Sequence, residues 1–126
     1  MTTELIRVIV LDDDEAQLSL VERALSRDGF DVRGISTLEA LQQIGPSFAP
    51  HLVLVDMNMP DVPSGEAIAA ARSAAQNARV VIYSAWDESR LRLMAQQLGA
   101  DGYLSKAEPV FSIGPRLAKL ATAPRG

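Results

Sequence analysis

Several groups able to do chemistry stand where a run of aliphatic residues ends. Asp12, Asp13 and Asp14 follow Val8–Leu11, Asp56 follows Leu52–Val55, Ser84 follows Val80–Tyr83, and Lys106 closes the stretch that begins at Gly102. Carboxylates gathered into one crevice repel one another, so they either take up protons or hold a cation. The chain has no cysteine, and oxygen donors of this kind suit Mg2+, which takes a few carboxylates and keeps several waters. A lysine and a hydroxyl at the same rim can bind the oxygens of a phosphoryl group. An aspartate can itself become the nucleophile and form an acyl-phosphate. The residue types therefore point to Mg2+-assisted phosphoryl chemistry, and leave open which carboxylate is the acceptor.

Those groups meet only if the elements behind them form one sheet. An unbroken aliphatic run of four residues is the form of a strand buried on both faces. Val8–Leu11 and Leu52–Val55 have it, and Val80–Tyr83, which ends on an aromatic, has it in weaker form. Phe30–Ile35 and Gly102–Leu104 are weaker and suit edges. Helical spacing separates the strands. Leu18, Val21 and Leu25, widened by Leu20 and Ala24, end at Asp28-Gly29. Ser36-Thr37-Leu38-Glu39 has the form of a capping box, with Leu41 and Ile44 following and Gly45-Pro46 expected to stop the helix. Ser64 is expected to cap a helix bearing Ala67, Ile68, Ala71 and Ala75. Asp87 caps one bearing Leu91, Met94, Ala95 and Leu98, closed by Gly99. Phe111, Ile113, Leu117 and Leu120 line a final helix with Pro115 in its first turn. Five strand–helix repeats predict an α/β fold, a parallel sheet covered on both faces. In such a sheet ligands bind outside the carboxyl ends of the strands, where every polar stop in this chain falls.

Totals agree with this reading. The chain has 126 residues, 48% of them hydrophobic, enough for one ordinary domain. We expect that domain over residues 1–121, with 122–126 a tail or linker stub. The net charge of −4 and the lack of a basic cluster argue against direct nucleic-acid binding. No run approaches the roughly 18–20 residues of a membrane span, and the N-terminus has no signal-peptide form. The expectation is a soluble, cytoplasmic protein with no membrane association.

Taken together and in order, Asp12-Asp13, Asp56 within "LVLVDMNMP", Ser84-Ala85 and Lys106 after "DGYLS" resemble the receiver domain of bacterial two-component response regulators, over nearly the whole chain. The resemblance implies a flavodoxin-like, doubly wound (βα)5 sandwich with strand order 2-1-3-4-5. It implies that Asp56 accepts a phosphoryl group from a histidine kinase or histidine phosphotransfer protein. It further implies that Asp12, Asp13, Asp56 and the backbone carbonyl of Asn58 hold Mg2+, that Lys106 pairs with the phosphoryl group, and that Ser84 and Tyr103 form the switch. The output would be a changed surface on helix four, strand five and helix five. That surface would act on a downstream protein or a further effector domain, with a phosphorylation-dependent dimer left open. On this reading the chain assists only its own phosphorylation and dephosphorylation. Ala107 stands where the family has proline after the lysine. Because a non-proline cis bond costs about 2.5–4 kcal/mol, a trans bond or a rebuilt loop is expected there.

Plainer readings stand beside these. Asp14 reads as an N-cap of the first helix, Asp61 as a solvated turn residue, and His51, at the far end of its strand, as a surface histidine. Tyr103 is either edge-strand packing or the switch aromatic. Trp86, two positions past Ser84, either covers the fourth helix or limits access of water to an acyl-phosphate. Two other functions share the residues: a Mg2+-dependent aspartyl phosphatase, which would want Thr where Ala16 stands, and a docking receiver that needs no phosphate.

Overall fold

Each aliphatic run pairs with another in the computed structural model, which describes residues 5–123. The elements are β1 (Arg7–Leu11), α1 (Glu15–Arg27), β2 (Asp31–Ile35), α2 (Leu38–Phe48), β3 (Leu52–Asp56), α3 (Ser64–Ala74), β4 (Arg79–Ser84), α4 (Glu88–Leu98), β5 (Gly102–Ser105), a 3-10 turn (Val110–Ser112) and α5 (Ile113–Thr122). All strand pairs are parallel, in the order β2-β1-β3-β4-β5. The expected α/β architecture and strand order are both present. The expected domain boundary at residue 121 falls in the last turn of α5, and the tail residues 124–126 lie outside the described residues.

Alternation of side chains along the strands divides the core. Ile9, Leu11, Val53, Val55, Val80 and Ile82 face the layer of α2, α3 and α4. Val8, Val10, Leu52, Leu54, Val81 and Tyr83 face α1 and α5. β3 is buried along its whole length, as a central parallel strand must be. β2 and β5 are only partly buried, in keeping with their edge positions.

Helix signals were less faithful to position. Asp14 caps α1 as expected, its carboxylate accepting from the N–H groups of Ala16 and Gln17. Asp87 caps α4, and Gly99 closes it in the left-handed conformation. For α2 the cap is Thr37, whose hydroxyl accepts from Ala40 N–H at 3.1 Å, not Ser36. Glu39 then falls one position too early to close a capping box. Ser64 is the first residue of α3, and Pro63 precedes it with no side-chain cap. Leu20 is exposed rather than part of the buried stripe of α1, and Phe111 is exposed on the 3-10 turn rather than lining α5. Pro115 does sit in the first turn of α5.

Gly45-Pro46 does not stop α2, which runs through both to Phe48. The physical reason is tertiary. Gly45 lies so close to α3 that a Cβ there would come within 2.8 Å of the Ala74 carbonyl oxygen. Packing of the two helices carries the chain past the local cost of proline. The stop comes at Ala49, left-handed at φ 50, with Pro50 behind it. No peptide bond among the described residues is cis, so Lys106–Ala107 is trans as expected.

Candidate functional site

The strand order brings the carboxyl ends of β1 and β3 side by side, with Leu11 paired to Val55. Asp12 follows β1 directly, and Asp56 is the last residue of β3. Both side chains are buried, at 1% and 3% exposure, whereas Asp13 is exposed. The three carboxylates offer oxygens that all lie within 4.8 Å of one another. That set of hard oxygen donors, two of them buried, fits a divalent cation of the Mg2+ type.

Among the described residues, one cation reaches into this mouth. Lys106 Nζ donates to Asp56 Oδ1 at 2.7 Å and stands 3.7 Å from Asp12 Oδ2. Its backbone N–H donates to the Ser84 carbonyl at 2.8 Å, tying the loop after β5 to the end of β4. Asn58 N–H donates to Asp56 Oδ1 at 3.2 Å, and Asp14 N–H donates to Asp12 Oδ1 at 2.9 Å. Burial pushes the Asp12 carboxyl up to about 6, and the nearby charge of Asp56 adds to it. The Asp14 N–H and the Lys106 ammonium oppose that shift without cancelling it. Three carboxylates against one ammonium leave the mouth short of positive charge.

Ser84, the last residue of β4, is buried, and its Oγ accepts from Trp86 N–H at 3.3 Å. Trp86 is half-buried, with the Arg90 guanidinium 4.0 Å from its ring centroid. Tyr103 is not brought to the mouth. It is half-buried against α4, its Oη donating to Glu88 Oε1 at 3.3 Å and accepting from Arg92 Nε at 3.4 Å. His51 sits at the opposite end of β3, its Nδ1 accepting the N–H of Arg7 at 2.9 Å.

Tyr83 is absent from the residues that sequence reasoning picks out. It is buried beside Ser84, with Lys106 Nζ 5.3 Å from its ring centroid. Burial pushes its phenol up, and the Asp12 charge adds to the effect. An aromatic one residue before the polar stop of a central strand was the available signal.

A family model described as the response regulator receiver domain matches residues 8–112. The transcriptional regulatory protein PrrA of Mycobacterium leprae is 34% identical over 101 residues, which cover 79% of this chain and 43% of that protein. The photosynthetic apparatus regulatory protein RegA of Rhodobacter capsulatus is 29% identical over 99 residues, 79% of this chain and 54% of that protein. The chain thus spans about half the length of the curated relatives it matches. Among solved structures, the signal receiver domain of the response regulator NarL from Mycobacterium tuberculosis superposes with a TM-score of 0.79 at 30% identity, covering 97% of this chain and all (100%) of that one. A CheY-like receiver from Methanospirillum hungatei gives 0.78 at 19% identity over 94% of both chains, a likeness of fold.

Proposed function

The chain belongs to the response regulator receiver domain family, and from that premise we propose that Asp56 is the carboxylate that takes the phosphoryl group. Receiver domains are phosphorylation-activated signalling domains of two-component systems, and this chain is one. The observation that carries the choice of Asp56 is its pairing with Lys106 at 2.7 Å inside a buried acidic mouth. Asp12 stands farther from that ammonium, at 3.7 Å, and Asp13 faces solvent.

In this reading an Asp56 carboxylate oxygen attacks the phosphorus of a phosphohistidine on a kinase or phosphotransfer protein. The new O–P bond forms as the N–P bond breaks, and the donor imidazole leaves and is protonated. Lys106 shifts from Asp56 Oδ1 to the incoming phosphoryl oxygens, and the Ser84 hydroxyl donates to one of them. Asp12, Asp13, Asp56 and the Asn58 carbonyl would hold Mg2+, which when bound offsets the like charges and polarises the phosphoryl oxygens. Tyr103 follows the movement of Ser84, altering the surface of α4, β5 and α5 for a downstream protein or effector domain. No described helix is long and apolar enough to cross a membrane.

Incubation with acetyl phosphate and Mg2+, followed by intact mass, tests the proposal. One phosphoryl group is expected on the native chain and none on Asp56→Asn. A mass gain that survives Asp56→Asn overturns the assignment. Turnover of a generic phosphoester would favour the phosphatase reading instead.

A further inference from the structure

We infer that Tyr83 is a positioning residue for this chemistry: its ring is the surface over which Lys106 crosses β4 to meet the carboxylates. β5, which leads into Lys106, is not a neighbour of β3, which carries Asp56; β4 lies between them. The lysine therefore spans two strand spacings, about 9–10 Å. In register, Asp56 pairs with Tyr83 and Tyr83 with Leu104, so Tyr83 is the β4 residue directly in the path. Nζ lies 5.3 Å from the ring centroid and 2.7 Å from Asp56 Oδ1. A cation at that distance from an aromatic face is attracted to it.

The ring is a fixed floor rather than a mobile partner. It is 2% exposed and packed in the cluster that includes Val81, Leu104 and Leu18. Three attractions act on the ammonium: Asp56, Asp12 and the ring. Binding of a divalent cation weakens the first two, and phosphorylation of Asp56 replaces the first with the phosphoryl oxygens to which Lys106 moves. The ring alone is unchanged through both events. It holds the ammonium at the mouth while a divalent cation weakens the pull of the carboxylates and before the phosphoryl oxygens arrive. An aliphatic side chain at this position would fill the same space without that pull. The inference rests on the roles proposed above for Asp56 and Lys106.

The chain contains only two lysines, Lys106 and Lys119, so a 13C-lysine-labelled sample gives two resolvable side chains. Lys119→Arg, an exposed position on α5, assigns them. The Lys106 ε-methylene protons are expected upfield of those of Lys119, shifted by the ring, with no metal or donor present. Tyr83→Phe should keep that shift, and Tyr83→Met should lose it. With acetyl phosphate and Mg2+, Tyr83→Met should slow phosphorylation roughly three- to tenfold while Tyr83→Phe stays within about twofold. The loss should fall on the maximal rate, not on the half-saturating donor concentration. No upfield shift in the native chain, a native rate in Tyr83→Met, or equal losses in the Phe and Met variants would each overturn the inference. Should Tyr83→Met fail to fold, the native and Tyr83→Phe spectra still decide. Failure of the Asp56 assignment shows separately, as a mass gain that persists in Asp56→Asn.

Discussion

At the carboxyl mouth of the sheet, Asp12 and Asp56 are buried against each other with a single ammonium between them. At the opposite rim, Arg7 and Arg79 stand on either side of His51, and both side chains donate to backbone carbonyls. Arg79 donates to the carbonyls of Leu120 and Ala123 at the end of α5. Arg7 Nε donates to the Ala49 carbonyl at 2.9 Å, at the end of α2. Cations set against helix C-termini satisfy carbonyls that the helices leave open and complement the dipole. Charge at this rim is consumed by the fold. Charge at the mouth is set against like charge, and so remains available to a ligand. A cavity of about 600 Å³, lined in part by Arg7, Pro50, His51 and Arg79, opens at the structural rim.

The sharpest way to break this contrast is Asp12→Asn. Burial sets the folded carboxyl of Asp12 at about 6 against an ordinary 3.8. A pKa raised on folding means the fold gains from the protonated form at low pH. That gain is lost as pH rises through about 6. Without divalent cations, Asp12→Asn should therefore melt several degrees above the native chain at pH 7.5, and the gap should narrow as pH falls below about 6 and close near the ordinary 3.8. Mg2+ should raise the melting temperature of the native chain and leave the variant nearly unmoved. Phosphorylation should fall by more than the roughly 10–100-fold that loss of an outer-shell metal partner costs. A variant less stable than the native chain at pH 7.5 would show that the mouth carries no electrostatic strain.

The opposite rim should answer the other way. Arg79→Gln leaves the carbonyls ending α5 without a charged donor, and a hydrogen bond to a charged group contributes about 1.5–3 kcal/mol. Urea denaturation should register a loss of that size, while the phosphorylation rate with acetyl phosphate stays unchanged. A rate that falls along with stability would mean that the two ends are coupled through β4.

The same contrast explains what could be read in advance. Buried parallel strands announce themselves as aliphatic runs, and their ends share one rim, so Asp12, Asp13, Asp56 and Lys106 were legible before any coordinates. Pro46 misled because its penalty is local, whereas the close seat of Gly45 on Ala74 depends on α2 meeting α3. Tyr83 stayed hidden because its importance comes from lying between the strands of Asp56 and Lys106, which is a property of strand order. Tyr103 was legible as an aromatic, but its outward setting is held by Glu88 and Arg92 from another element.

The smallest effect concerns the lip of the mouth. The single tryptophan of the chain, Trp86, follows Ser84 by two residues and donates its N–H to the Ser84 hydroxyl. Its ring packs on the apolar layer of α2, α3 and α4 on one side and under Arg90 at 4.0 Å on the other. Arg90 belongs to the first turn of α4, where Asp87 caps its N–H at 2.9 Å, so the ring is held from both sides. A ring so held, two residues past Ser84, would narrow the approach of water to a phosphoryl group on Asp56. Trp86→Ala should then hydrolyse the phosphorylated form a few-fold faster, and Arg90→Gln, which only loosens the ring, should do so by less. Tryptophan fluorescence should respond to Mg2+ and to beryllofluoride if the ring borders the mouth. Dephosphorylation as slow in Trp86→Ala as in the native chain, or slower, would mean that this ring covers α4 and leaves the path of water alone.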